Sequence, residues 1–149
     1  MMGSCAKQYR KENFQLNHRA SMTLFAFIEN RLIDYGLSPQ YAGFRYLSHA
    51  ILWSILDRKA SLQLSVNLYP RIAKNFNVST SAVEHGIRNL LYNAWKRNES
   101  PARRSLFAII CTPPSNARCI ALLSRLIRTQ YIKEILQPLQ SGMQPSIGS

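Results

Sequence analysis

Six residues within one short stretch carry groups that can read the edges of base pairs: Ser81, Ala82, Glu84, His85, Arg88 and Asn89. Arginine pairs bidentately with guanine and asparagine with adenine, glutamate accepts from the cytosine amino group, and a methyl such as that of Ala82 meets the thymine methyl. The Ser81 hydroxyl and the His85 imidazole each add a single adaptable hydrogen bond. Around these lie Arg71, Lys74, Lys96, Arg97, Arg103 and Arg104, point charges and guanidinium forks suited to phosphate oxygens. A plainer chemistry is open to the same stretch. Glu84 and Arg88 are four residues apart, the spacing of an ordinary ion pair on a solvated helix face.

No competing chemistry stands out elsewhere. The seven acidic residues show no paired arrangement, and there is neither a glycine-rich phosphate loop nor a recognisable nucleophile motif, so catalysis and a cofactor are not expected. Cys5, Cys111 and Cys119 lack metal-ligand spacing, and His18, His49 and His85 are scattered, so no metal site is expected either. Unpaired cysteines fit a reducing compartment. Nineteen basic residues against seven acidic ones give a formal net charge of +12, which attracts polyanions without choosing among DNA, RNA and anionic lipid. Residues 1–65 hold eight basic and four acidic residues, whereas residues 66–149 hold eleven and three. The half that carries the base-reading candidates is therefore the more positive. The start of the chain lacks an apolar signal core, and its apolar runs are too short to span a bilayer, so a soluble cytoplasmic, nucleoid-associated protein without membrane contact is expected.

The elements that must position these residues read as helical throughout, giving an all-α fold. Residues 1–20 form a basic, flexible arm, residues 21–137 one domain, and residues 138–149 a flexible tail. Leu24, Phe27, Ile28 and Leu32 recur at helical spacing, with Gly36 as a stop. Ser38-Pro39 has the pattern of an N-cap and first helical residue, followed by an apolar stripe at Leu47, Ala50, Ile51 and Ile55. Pro70 either opens a new short helix or kinks a longer one, with Ile72, Ala73 and Phe76 on the buried side. Asn77-Val78-Ser79 reads as a tight turn in which Val78 can plug the corner. The next helix starts near Thr80 or Ser81, where Ser81 and Glu84 have capping-box spacing. Val83, Ile87, Leu90, Leu91 and Ala94 form its apolar stripe, and Lys96 and Arg97 suit its C-terminal dipole. Residues 98–104 form a polar loop, Leu106 to Cys111 remains untyped, and Ser115 or Asn116 caps a last helix through Ile120, Leu123, Ile127 and Ile135. A short helix, a tight turn and a long capped helix together make a helix-turn-helix, whose second helix lies in the major groove.

The residue pattern also resembles the C-terminal effector domain of the master response regulator of sporulation in endospore-forming bacteria. The resemblance rests on Leu68-Tyr69-Pro70, Ile72-Ala73-Lys74, Val83-Glu84, Ile87-Arg88 and Ala94-Trp95, then Ser105-Leu106-Phe107 and Pro114, Asn116 and Ile120-Ala121. Upstream, Tyr35-Gly36-Leu37 and Gly43-Phe44-Arg45-Tyr46-Leu47 are similar too, so coverage runs from about residue 24 to 130. The resemblance implies a compact helical transcription-factor domain that binds a short promoter box in double-stranded DNA, often as a tandem homodimer. It places Ser81, Glu84, Arg88 and Asn89 at DNA. It also implies that the loop after the recognition helix, here including Asn98, Glu99, Ser100, Ala102 and Ser105, contacts the RNA polymerase sigma factor. Two departures bear on target choice. Ala82 and His85 stand where the family usually has arginines, and Asn89 replaces a usual histidine. Only about twenty residues precede the first helix, so the expectation is a free-standing module without the family's receiver domain.

The sequence thus predicts a sequence-specific DNA-binding transcriptional regulator with a divergent recognition helix. The alternative is an interaction protein, or antagonist, that keeps the fold but binds a regulator or RNA polymerase rather than DNA.

Overall fold

The apolar periods of the sequence become five helices in the computed structural model, which describes residues 23–57, 59, 63–97 and 115–137. They are α1 (residues 23–34), α2 (Ala42–Leu56), α3 (Tyr69–Phe76), α4 (Thr80–Arg97) and α5 (Asn116–Tyr131), and there is no strand among the described residues. The fold is all-α. Leu24, Ile28 and Leu32 of α1, Leu47, Ala50 and Ile51 of α2, Ile72 of α3, Val83, Ile87 and Leu91 of α4, and Ile120, Leu123 and Ile127 of α5 meet in one core. Each such burial stabilises by roughly 1.5–3 kcal/mol. The basic arm, the tail, Cys5, Cys111, His18 and the segment Leu106 to Cys111 lie outside the described residues.

The first helix stops as its glycine requires. Gly36 adopts φ 89°, and the amides of Gly36 and Leu37 donate to the carbonyls of Ile33 and Leu32 at 2.8 and 2.9 Å. This double bond pattern closes a helix around a left-handed residue. Ser38-Pro39 does not cap α2. The Tyr41 amide donates to the Ser38 carbonyl at 3.4 Å, so Pro39 occupies the second position of a turn, and α2 begins at Ala42. Proline's fixed φ suits both positions, and Leu37, just ahead of the turn, is buried in the core.

Of the two readings of Pro70, the structure takes the new short helix, α3, which starts one residue earlier at Tyr69. A wide turn at Leu64–Leu68, closed by Tyr69 N–H donating to the Leu64 carbonyl, runs directly into α3. Pro70 then falls in the first turn of α3, where the missing donor is harmless.

α2 is the central strut, packing against α3, α4 and α5. Its crossing with α4 is made by two glycines. A Cβ on Gly43 would lie 2.1 Å from the Gly86 carbonyl oxygen, so the two backbones touch directly. At Gly86 a Cβ would meet the Tyr46 ring at 3.0 Å. An aromatic chain ties the other side together. Phe25 of α1, His49 of α2, Phe76 of α3 and Tyr46 of α2 follow one another edge to face, with centroids 4.8–5.3 Å apart.

Candidate nucleic-acid interface

The turn between α3 and α4 is fixed by backbone chemistry. Asn77 sits at φ 54°, ψ 48°, the left-handed region that asparagine tolerates better than most residues. Its amide donates to the Lys74 carbonyl at 3.3 Å, and the Val78 amide to that of Ala73 at 2.9 Å. Val78 does not plug the corner. It remains exposed, and Phe76, stacked on Tyr46 and His49, packs on the core instead.

The capping box expected from Ser81 and Glu84 is not formed. Ser79 is the cap, its Oγ accepting from the Ala82 amide at 3.0 Å. A cap must stand just outside the helix with its oxygen reaching back to the first turn. Because α4 starts at Thr80, Ser81 is already inside it. Glu84 is consequently free to turn along the helix, where its Oε1 pairs with the Arg88 guanidinium.

α4 has two sharply different faces. Val83, Ile87, Leu90, Leu91 and Ala94 are buried, as their period predicts. Ser81, Ala82, His85, Arg88 and Asn89 are exposed and Glu84 is half-buried, so all six base-reading candidates emerge on the outward side. The eighteen residues of the helix span about 27 Å at 1.5 Å per residue. Lys96 and Arg97 are exposed at its C-terminal end. Arg71 and Lys74 are exposed on α3, and Arg71 stacks over the Trp53 ring at 4.8 Å. Trp53 is therefore both a core-packing residue and a platform for a cation. Arg103, Arg104, Asn98, Glu99, Ser100, Ala102 and Ser105 lie outside the described residues.

Two residues behind this surface went unread in the sequence as positioning groups. Asn116, the first residue of α5, donates from Nδ2 to the Glu84 carbonyl at 3.0 Å, tethering α5 to the middle of the outward-facing turn. Its neighbour Ser115 takes the capping role, accepting from the Arg118 amide at 3.2 Å. Tyr69 is buried beside Asn116. Burial pushes its phenol up, partly offset by a hydrogen bond with Asn116, and the charges of Glu84 and Arg88 act on it in opposite directions. No spacing in the chain announces a contact across thirty-two residues; only the tertiary packing does. Cys119 is buried in the core, and burial pushes its thiol up to about 12, so it packs and does not attack. Among the described residues no three His, Cys, Asp or Glu side chains gather as a metal site. No described helix is long and apolar enough to cross a membrane.

A short helix, a left-handed turn and a long helix with one buried and one polar face, set on a helical core, define a helix-turn-helix domain. Over residues 28–127 the chain matches the family described as Sporulation initiation factor Spo0A C terminal, and it belongs to that family. Membership places it among the DNA-binding effector domains of sporulation response regulators, a transcription-regulating and not an enzymatic class.

Proposed function

We propose that this domain is a sequence-specific transcriptional regulator that lays the N-terminal half of α4 in the major groove of DNA. The observation that carries this reading is the sorting of α4, which buries five apolar residues and leaves all six base-reading candidates on the other side. Ser81, Ala82, Glu84, His85, Arg88 and Asn89 are the base readers. Arg71, Lys74, Lys96 and Arg97, with Arg103 and Arg104, are the phosphate contacts. Family membership further supports a tandem homodimer on DNA, a sigma-factor contact through the loop following α4, and action in the cytoplasm. The helical core serves as the domain, with residues 1–20 and 138–149 as its flanks.

A specific observation favours a second reading. Arg88 is held by Glu84, and the resemblance puts arginines where this chain has Ala82 and His85. A helix poorer in free outward cations suits an antagonist that binds a regulator or RNA polymerase instead. Selection of bound sites from random duplex DNA separates the two. The regulator enriches a motif distinct from the family's box, and Ala82→Arg with His85→Arg restores the family box by about 1–3 kcal/mol per bidentate pair. No enrichment from either protein would leave the antagonist.

A further inference from the structure

The outward stripe of α4 runs one turn further than the base-reading candidates do. Val83, Ile87, Leu90, Leu91 and Ala94 are its buried positions, and a step of two residues back from each gives Ser81, His85, Arg88, Asn89 and Tyr92. Two residues turn about 200° around a helix of 3.6 residues per turn, so these five form the stripe opposite the core. Four of them are base-reading candidates. By the same phase Tyr92, the fifth, lies nearer the middle of the outward face than Ala82 or Glu84 does.

Tyr92 is also out of character for that face. It is 43% exposed, the one large apolar side chain of α4 left so. Its ring leans on Trp95, with centroids 6.0 Å apart and planes tilted by 41°, and Trp95 in turn packs on the core. The ring is thereby braced, while its hydroxyl has no hydrogen-bond partner among the described residues. Its neighbours on the helix surface, three and four residues away, are Arg88, Asn89, Trp95 and Lys96. Two are cations and none is a carboxylate. Phenylalanine would serve the contact with Trp95 equally well. What tyrosine adds is an exposed donor in a positive field.

We infer that Tyr92 is a further DNA contact, its phenol donating to a phosphate oxygen of the strand bordering the major groove and its ring covering the adjoining sugar. The register follows from length. With the first turns of α4 on the base edges, as proposed above, Tyr92 lies about 16 Å beyond Ser81 at 1.5 Å per residue, whereas the major groove is about 12 Å wide. The far end of the stripe therefore meets the groove wall, and Lys96, one turn on, meets the same strand. Tyrosine is among the side chains that contact phosphates, and unlike lysine it does so without charge. It fixes direction and register and releases no counterion.

That difference supplies the test. Binding of the full chain is measured by fluorescence anisotropy across a salt series on two labelled duplexes, one carrying the best-enriched sequence from random DNA and one a scramble of it. Tyr92→Phe keeps the ring on Trp95 and should melt like wild type. It should weaken both duplexes by the same factor, about tenfold for a hydrogen bond to a charged oxygen, with the slope of log K against log salt unaltered. Lys96→Ala, by contrast, lowers that slope by about one. Tyr92→Ala should lose more than Tyr92→Phe, and both losses should persist on a duplex short enough for a single copy. Unaltered affinity in Tyr92→Phe overturns the inference and leaves α4 as the reading helix. A loss confined to duplexes that hold two copies also overturns it, assigning Tyr92 to the contact between them, and so does a loss on the enriched sequence alone, which would make Tyr92 a base reader. Wild-type protein that binds neither duplex overturns the reading of α4 itself, and the contact at Tyr92 falls with it.

Discussion

The two faces of α4 are held by forces of different kinds. Inward, the helix is clamped by backbone contact at Gly43 and Gly86, five buried apolar side chains and the Asn116 tether. Outward, the one ion pair along the helix among the described residues is between Glu84 and Arg88, both in part exposed. Exposed pairs at this spacing contribute about 0.3–0.5 kcal/mol. The inner face therefore fixes where the helix sits, while the outer face can change residue by residue at little cost to folding. Positions such as Ala82 and His85 can therefore vary without disturbing the domain.

The hardest blow to that contrast is a single methyl on the inner face. Gly43→Ala puts a Cβ into the Gly86 carbonyl and should destabilise by about 3 kcal/mol or more, the upper end of overpacking costs. Gly86→Ala meets the edge of the Tyr46 ring at 3.0 Å and the Gly43 Cα at an ordinary 3.4 Å, and gains helix propensity of about 1 kcal/mol, so it should stay within about 1 kcal/mol of wild type. Denaturant melts of both check this, and equal losses would mean that the crossing is not the clamp.

On the outer face the expected losses are in binding, not folding. Arg88→Ala should lose about 1–3 kcal/mol on the preferred duplex and relax its preference there. Lys96→Ala should weaken all sequences alike and reduce the salt slope by about one. Indistinguishable, sequence-independent losses in a binding assay would demote Arg88 to a general cation.

The junction between the faces is the Ser79 cap. Ser79→Ala should cost about 1 kcal/mol of stability, whereas Ser81→Ala, two residues past the cap, should cost far less. The reverse order in thermal melts would restore the Ser81 capping box. The smallest effect on stability belongs to Glu84→Gln, within about 0.5 kcal/mol. It should nonetheless raise general duplex affinity by releasing Arg88, and unaltered affinity would show that the pair does not restrain the guanidinium.

What the sequence made legible follows the same division. A 3.6-residue period is a local property, so the stripe Val83, Ile87, Leu90, Leu91 and Ala94 is read from the chain alone and is buried throughout. Gly36 likewise stops α1 where its type says it must. Start points were harder, because two hydroxyls or two proline positions satisfy the same local rule. Tertiary packing chose Ser79 over Ser81 and a turn over a cap at Pro39. Val78 failed for a similar reason, since Phe76 already packs on Tyr46 and His49. Gly43 and Gly86 give no local signal of their meeting, and Asn116 looks like one more capping residue until the Glu84 carbonyl is placed beside it. Along α4, the outward arrangement of the six base-reading candidates was readable as the complement of the apolar stripe.

The stack of Arg71 on Trp53 has an optical consequence. Indole emission depends on the charge and hydration next to the ring, so a guanidinium that leaves for a phosphate alters its colour and intensity. With Trp95→Phe removing the only other indole, Trp53 becomes an intrinsic fluorophore on α2, against the first helix of the motif. Duplex DNA engaging Arg71 should shift its spectrum, and Arg71→Gln should abolish the shift. The domain thus carries its own lamp for watching that helix approach a polyanion, with no dye attached.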